Sequence, residues 1–593
     1  MKKIYLKTSK LNICEEKKIN DLICLGDWCY DLEKKLEIDS SYYLKTQYNK
    51  EEVFKILFSL KDKLILSLKN FLNNLHNIDK DTKYWNFLIG PWLISFLHVI
   101  YDRWQVFENN KDILDKNIYT LIGKILNENI IPKEMHTGKH FFYQDLWNHY
   151  IFGEIIKYKK NIKFDQIDIK QENLNILLAK KKNLNLKVNN YFKYFIKFAN
   201  FFYKKNKLNK IIFLTDIHYL FQIKTYLRFK QFPTFVPPPA DYKDNQINNE
   251  IRAKRLNFLT SSELEEFLSL NILKFIPKSV LENYQEIINE NLRYYEKFKS
   301  KNFFIPQMEI PDRIKFFIAD QTNSKKIIYQ HGGCYGLMKF HFREILEVQL
   351  SDYFLTFGWN KYNSHELLTE KEKNKIVDFY PIHLSNKSIN TKKNTMNYLI
   401  LDEFPNYFLE NVSNYDSHTY RLYFKNIIKF IESLDHKFKE NLLIRIHPAR
   451  LLRETYNILK TKFPNINIDD GSQDIMKNIS KAKLCIIGNN STTFLQTLRM
   501  NVPTILFWDE NIIQTRDNCK KYIKLLYDSG IFYKNADTAA IFCNKNHNIY
   551  KWWNEKERKE KVSIFLNDFA NKNEKKIVKL FSIIENKYNE KEN

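Results

Sequence analysis

From residue 313 to residue 509 the chain keeps repeating one unit, a short apolar run followed by an amphipathic stretch. The runs RIKFFIAD, KKIIYQHGG and DYFLTFGW read as strands, with FREILEVQL as a helix between the last two. Strands that alternate with helices in this way build βαβ units around a parallel sheet. After the polar stretch 384–395 the pattern restarts with NYLILDEF, a helix over 420–435, NLLIRIHP, a helix over 450–462, KLCIIGNNS, a helix over 494–500 and PTILFWD. A restart predicts a second doubly wound sheet. A chain of 593 residues also exceeds what one hydrophobic core usually serves.

The fold class is therefore α/β, with two Rossmann-like doubly wound domains facing a cleft. Residues 1–385 read as an α/β domain, 386–545 as a second Rossmann-like domain, and 546–593 as helices, with Trp552-Trp553 embedded in them, that pack back on the first domain. Within the first domain, 21–29 (DLICLGDWC) reads as a buried strand entering a turn, and 209–217 as another strand. Between them, Phe54, Leu57, Leu60, Leu64 and Leu68 recur at helical spacing with almost no turn signals, so a large helical insertion is expected at about 45–205. The proline-rich segment 232–241 cannot be helix or central strand and reads as a loop near the cleft. The most apolar stretch, Trp85 to Trp104, has the length of a membrane span but holds Asn86, Gly90, Pro91 and His98 and ends on Asp102-Arg103, which favours a buried helix.

The formal charge of +25 raises phosphorylated substrates, membrane headgroups and nucleic acid as partners. Lysine, asparagine and isoleucine are used heavily along the whole chain while glycine (12) and proline (14) are scarce, so most lysines read as solvated surface. That leaves an anionic acceptor or peripheral contact with an anionic membrane leaflet in play, and no case for nucleic acid. Seven scattered cysteines make no disulfide framework, and MKKIYLKTSKLN has no apolar segment behind its lysines. A cytoplasmic location, at most peripheral at the inner face of the membrane, is the expectation.

In doubly wound sheets ligands sit outside the carboxyl ends of the strands, and the suspicious polar residues lie there. His331 follows KKIIYQ and precedes Gly332 and Gly333, where the backbone can approach a ligand closely; its imidazole suits a general base or a phosphate ligand. His447, followed by Pro448, ends NLLIRI. Asn490, Ser491, Thr492 and Thr493 end KLCII and open a helix, so their hydroxyls and amides can cradle an anion. Ser/Thr before a helix is usually only a cap; two such sites at consecutive strand ends, 44 residues apart, point to a phosphate site. Arg445, Arg450 and Arg453 flank His447 and could neutralise that phosphate.

On the helix after His331, Glu344 reads as solvated while Glu347 lies between apolar neighbours and could orient a base or touch a sugar hydroxyl. Asp27, at the first strand end beside Trp28, is a base or a turn residue, and Asp402-Glu403 are equally ambiguous. His136 and His140 are four apart without a carboxylate or thiol at metal-binding spacing, so no metal is expected. There is no GxGxxG and no Walker loop.

The chain resembles the transferase family of leptospiral-type O-antigen and surface-polysaccharide gene clusters. The resemblance runs through Leu25-Gly26-Asp27-Trp28-Cys29, Tyr84-Trp85, Gly90-Pro91-Trp92, Tyr101-Asp102-Arg103 and Asp145-Leu146-Trp147-Asn148. It continues through His331-Gly332-Gly333, Tyr335-Gly336, Glu347, Asp352-Tyr353, Gly358-Trp359, Asn490-Ser491-Thr492-Thr493, Pro503-Thr504 and Phe507-Trp508-Asp509. It implies a GT-B-like architecture and a role in building surface glycans, with the first domain on the acceptor side and the second binding the nucleotide donor. More distantly, the His-Pro and Ser-Thr elements are similar to donor sites of GT-B sialyltransferases and Kdo transferases, although the acidic motif that supplies their base is missing. His-Gly followed by His-Pro also resembles teichoic-acid polymerases that use CDP-glycerol.

These likenesses imply a glycosyltransferase that moves an ulosonic acid from a CMP donor to a glycan or lipid-linked glycan, without metal or other cofactor. Its catalytic candidates are His331, Glu347 and Asp27. Its donor-binding candidates are His447, Pro448, Asn490, Ser491, Thr492, Thr493 and Arg445. Gly26, Trp28, Gly332, Gly333, Tyr335 and Trp359 would line the acceptor side or the cleft. The alternatives are a CDP-polyol phosphotransferase and a non-catalytic glycan-binding assembly protein.

Overall fold

The computed structural model describes residues 4–588 except 11–21, 170–208, 402–416, 449–452 and short stretches within 38–48, at 116, 215–216 and 296–297, and within 235–241. Asp402-Glu403, Arg450 and most of the proline-rich segment fall outside the described residues.

Among the described residues, three parallel sheets carry the chain. The first has the order β2-β1-β3-β4, from β1 (Ile4–Lys7), β2 (Leu22–Cys24), β3 (Ile118–Lys124) and β4 (Lys163–Asp168). The second runs in chain order through β5 (Ile212–Phe213), β6 (Asn302–Ile305), β7 (Lys325–Tyr329), β8 (Tyr353–Leu355) and β9 (Ile376–Val377). The third has the order β12-β11-β10-β13-β14-β15, from β10 (Met396–Leu401), β11 (Leu442–Ile446), β12 (Asn467–Asp469), β13 (Ala482–Ile487), β14 (Thr504–Phe507) and β15 (Phe532–Tyr533). The chain is therefore α/β with parallel sheets, as expected; the first and third sheets reverse in strand order and are doubly wound, whereas the second runs in chain order without a reversal, and the sheet at the amino end is additional.

Two expectations need correction. The segment expected to be a helical insertion holds the long helices Lys50–His76 and Thr82–Asn109, but β3 and β4 interrupt it. β4 is an edge strand of sequence KFDQID, almost wholly exposed, so it carries no apolar alternation to betray it. RIKFFIAD is not a strand but part of the helix Asp312–Asp320, which follows Pro311; the strand of that unit is β6, NFFI, buried along its length. Proline immediately before an aspartate is a helix-start signal, and it outranks a short apolar run.

The apolar stretch around Trp85 lies inside helix Thr82–Asn109, buried against helix Lys50–His76. Among the described residues no helix is long and apolar enough to cross a membrane. The C-terminal helices cross back to the second sheet. The carbonyl of Asn567 lies where a Cβ on Gly358 (φ +143°) would stand 2.5 Å away. The Asn571 amide donates to the Phe357 carbonyl at 2.8 Å, and Lys576 and Lys579 both pair with Asp378.

Candidate active site

The loop after β7 is built around Gln330. Its buried side chain accepts from the Phe357 amide (2.8 Å) and the Trp359 indole (2.8 Å) and donates to the Gly332 carbonyl (2.6 Å). Trp359 is thus fully buried behind the loop. It was expected at the cleft; its indole N–H has a partner only inside, so it supports the loop instead. With Gln330 anchored, His331 emerges exposed where the strand stops.

Gly332 and Gly333 then meet the third sheet's domain. The Gly333 amide donates to Thr492 Oγ1 at 2.9 Å, and the Cys334 thiol lies 2.8 Å from the Asn490 carbonyl. A Cβ on Gly333 would stand 2.9 Å from the Ser491 carbonyl and from Thr492 Cα. Glycine is needed here for close approach between two backbones.

In the third sheet the strand order reverses at β10, with β11 and β12 on one side and β13 to β15 on the other. Crevices at such reversals are where open α/β sheets bind ligands. His447, half-buried, follows β11, and Asn490 to Thr493 follow β13, so they flank the end of β10. Ser491, Thr492 and Thr493 are partly exposed at the N-terminus of helix Thr492–Arg499, where amide N–H groups and the helix dipole favour an anion. Asn490 is buried, and its Oδ1 has no hydrogen-bond partner among the described residues.

Arg445 does not join them. It is buried and donates to Asp469 (2.7 Å) and to the Gln473 (2.9 Å) and Gly471 (3.3 Å) carbonyls. A guanidinium held on three acceptors braces the loop after β12. Pro448 is exposed and rests on Gly471, whose positive φ of +90° lets the two backbones touch.

On the other side of His331 a cavity opens within the first two-sheet domain. Its free volume is about 50 Å³, and it is lined by Trp92, His136, Lys139, Glu309, Lys315, His331, Tyr335, Arg343 and Glu347 among others. Glu347 is buried, and the Tyr335 hydroxyl donates to it at 2.8 Å. Burial raises its pKa to about 7, with Tyr335 and Arg343 opposing the shift. Glu309 has the opposite fate. Burial works against its charge, but Arg343 and Lys139 beside it hold its pKa down at about 2. His136 likewise overcomes burial: its contacts with Asp312 and Glu134 lift it to about 9.

Of the residues singled out in the sequence, the structure gathers His331, Tyr335 and Glu347 at one cavity. Trp92, Lys139, Glu309, Lys315 and Arg343 line it too and were not among the site candidates. Arg343 was within reach, four residues before Glu347 on one helix; Lys315 was hidden by reading its helix as a strand. Glu344 was expected in solvent. It is fully buried, bound by Arg516 and by the Gly336 amide (2.7 Å).

Asp27 does not line this cavity. It is buried in a short 3-10 turn after β2, against helix Ser417–Glu432 of the other domain. Trp28 is also committed: its indole donates to the Thr8 carbonyl at 3.0 Å and its ring stacks on Phe152. A Cβ on Gly26 would stand 2.2 Å from that indole, so Gly26 makes room for Trp28 rather than for a ligand.

Glu134, His136 and Asp312 bring potential metal-ligand atoms within 4.8 Å of one another. Asp312, however, already accepts from the Met135 and His136 amides and the Ser279 hydroxyl (2.7, 3.2 and 2.5 Å). The cluster reads as an internal charge network.

Comparison with known proteins adds the following. The model of the LIC12162 family transferases matches residues 5–583. No curated protein matches the chain. Among solved structures, a wall teichoic acid polymerase TagF soaked with CDPG is 13% identical with a TM-score of 0.32, covering 74% of this chain and 98% of its own. S. aureus MnaA with UDP is 12% identical with a TM-score of 0.34, over 55% and 87%. A Thermobaculum terrenum O-GlcNAc transferase variant is 7% identical with a TM-score of 0.31, over 91% and 98%.

Proposed function

Since the chain belongs to the LIC12162 family of transferases, we propose that it transfers an ulosonic acid, of the Kdo or sialic type, from a CMP donor to a hydroxyl of a surface glycan. One observation carries this reading: the His331 loop touches the N-terminus of helix Thr492–Arg499 on one side and opens into the Glu347 cavity on the other. The cradle that an anion would occupy and the Glu347 cavity thus share one wall.

In this reading the donor phosphate sits on the amides and hydroxyls of Ser491 to Thr493 beside His447. The acceptor hydroxyl, placed in the cavity, attacks the anomeric carbon. The bond from that carbon to the phosphate oxygen breaks, its electron pair stays with the phosphate, and CMP leaves. His331, at the junction, takes the hydroxyl proton, and Glu347 with Tyr335 orients the acceptor. The single phosphate is stabilised by the helix terminus and His447, so the reading calls for no metal. The net charge of +25 fits peripheral attachment to an anionic inner leaflet.

A screen of activated donors tests this. CMP release from CMP-Kdo or CMP-sialic acid in the presence of a glycan acceptor, lost in His331→Ala, is the expected outcome. Turnover of CDP-glycerol and none of CMP-sugars would replace sugar transfer by polyol-phosphate transfer. Retained cellular function in His447→Ala would point to a non-catalytic glycan-binding role.

A further inference from the structure

Among the described residues, two donors that border the cavity, the Lys315 ammonium and the Trp92 indole N–H, have no partner. Lys315 is 3% exposed, and its ammonium has no hydrogen-bond or ion-pair partner among the described residues. Trp92 is 4% exposed, and its indole N–H is likewise unpartnered among them. Buried donors of this kind are costly to leave unsatisfied, and a buried ammonium more so than a neutral group. Such groups are few in natural structures, and a bound ligand is one explanation for them.

The neighbouring carboxylates do not complete it. Asp312 and Glu309 reach Lys315 through their field alone. Asp312 is taken by the Met135 and His136 amides, the Ser279 hydroxyl and the His136 ring. Glu309 is taken by Arg343 and Lys139. Glu347 receives the Tyr335 hydroxyl. Burial accordingly dominates and brings the Lys315 ammonium down to about 8, against the pull of those two carboxylates. An oxyanion entering the cavity would give Lys315 its counter-charge and Trp92 its acceptor, in a site shielded from water where charge-assisted hydrogen bonds are strong.

We propose that this cavity is an oxyanion subsite, in which Lys315 and the Trp92 indole N–H hold a carboxylate or phosphate borne by a sugar. The inference rests on the reading that the cavity takes the acceptor, and it narrows that acceptor to an acidic glycan. Lys315 and Trp92 are binding residues here. Proton transfer stays with the groups nearer the donor cradle.

Calorimetric titration of the full chain without donor tests the subsite separately from the transfer reaction. The probes are D-glucuronate, D-glucose 6-phosphate and neutral D-glucose. At least one acidic sugar is expected to bind about tenfold or more tightly than glucose, and which one it is identifies carboxylate or phosphate as the natural group. Lys315→Met should erase that preference without changing glucose binding. Should Lys315→Met fail to fold, Trp92→Phe serves, with a smaller loss of several-fold. Equal binding of the acidic and neutral sugars, no binding of either acidic sugar at millimolar concentration, a preference unchanged in the variants, or displacement of the bound acidic sugar by CMP would each overturn the proposal. A negative donor screen with an intact acidic preference would sink the CMP-sugar reading and leave this subsite standing.

Discussion

Arg516 sets its two terminal guanidinium nitrogens on the two carboxylate oxygens of Glu344, each at 2.9 Å, in a fully buried pair. Arg516 belongs to the segment after β14 and Glu344 to the helix after β7, so the fork joins the two domains beside the site. Its remaining hydrogens go to the Met338 and Asn363 carbonyls.

Removing one partner leaves the other charge buried and uncompensated. Glu344→Gln or Arg516→Met should therefore destabilise the protein by about 3–5 kcal/mol. Urea denaturation followed by circular dichroism reads this, and a loss under 1 kcal/mol would mean that the pair is not the clamp described.

The glycines of the His331 loop separate in a transfer assay. Gly333→Ala forces a Cβ to 2.9 Å from backbone of the opposite domain, whereas at Gly332 the nearest atom is the Thr492 hydroxyl at 3.4 Å. Transfer activity should fall about a hundredfold for Gly333→Ala, in keeping with an ångström-scale misplacement, and only several-fold for Gly332→Ala. Equal effects would deny the interdomain contact its role.

Glu347 makes stability depend on pH in a defined direction. Its folded pKa, about 7, lies above its ordinary value of 4.5, so the folded state binds the proton more tightly. The stabilisation is fully present below about 4.5 and is lost as pH rises to about 7, a swing on the order of a few kcal/mol. Thermal melts across that range should show it in the wild type, and Glu347→Gln should remove it.

Arg445 and His447 are two residues apart but should behave oppositely. Arg445→Met breaks the bonds to Asp469, Gln473 and Gly471 and should lower Tm by several degrees while donor KM changes less than about twofold. His447→Ala should raise donor KM about tenfold or more, with Tm nearly unchanged. Steady-state kinetics alongside thermal melts distinguishes them.

The βαβ alternation and the His-Gly-Gly, His-Pro and Asn-Ser-Thr-Thr elements were legible because each is local: a strand, its end and the next helix lie within about fifteen residues. What was not legible depends on distant partners. Arg445, near a strand end, read as a phosphate ligand and Glu344, on a helix, as solvated, and only Asp469 and Arg516 decide that both are internal braces. Trp28 and Trp359 looked like ligand platforms until the Thr8 carbonyl and Gln330 claimed their indoles. Lys315 was lost for a local reason, because an apolar run of eight residues fits strand and helix alike, and Pro311 alone decides between them.

The return of the C-terminal helices to Gly358, Phe357 and Asp378 means that the chain crosses between the domains twice, once on the way out before β10 and once on the way back. With the buried Arg516–Glu344 fork, this second crossing ties the third sheet's domain to the second sheet at places far apart in the sequence. The Gly333–Thr492 contact thus lies between two domains that are held together on either side of it in the chain.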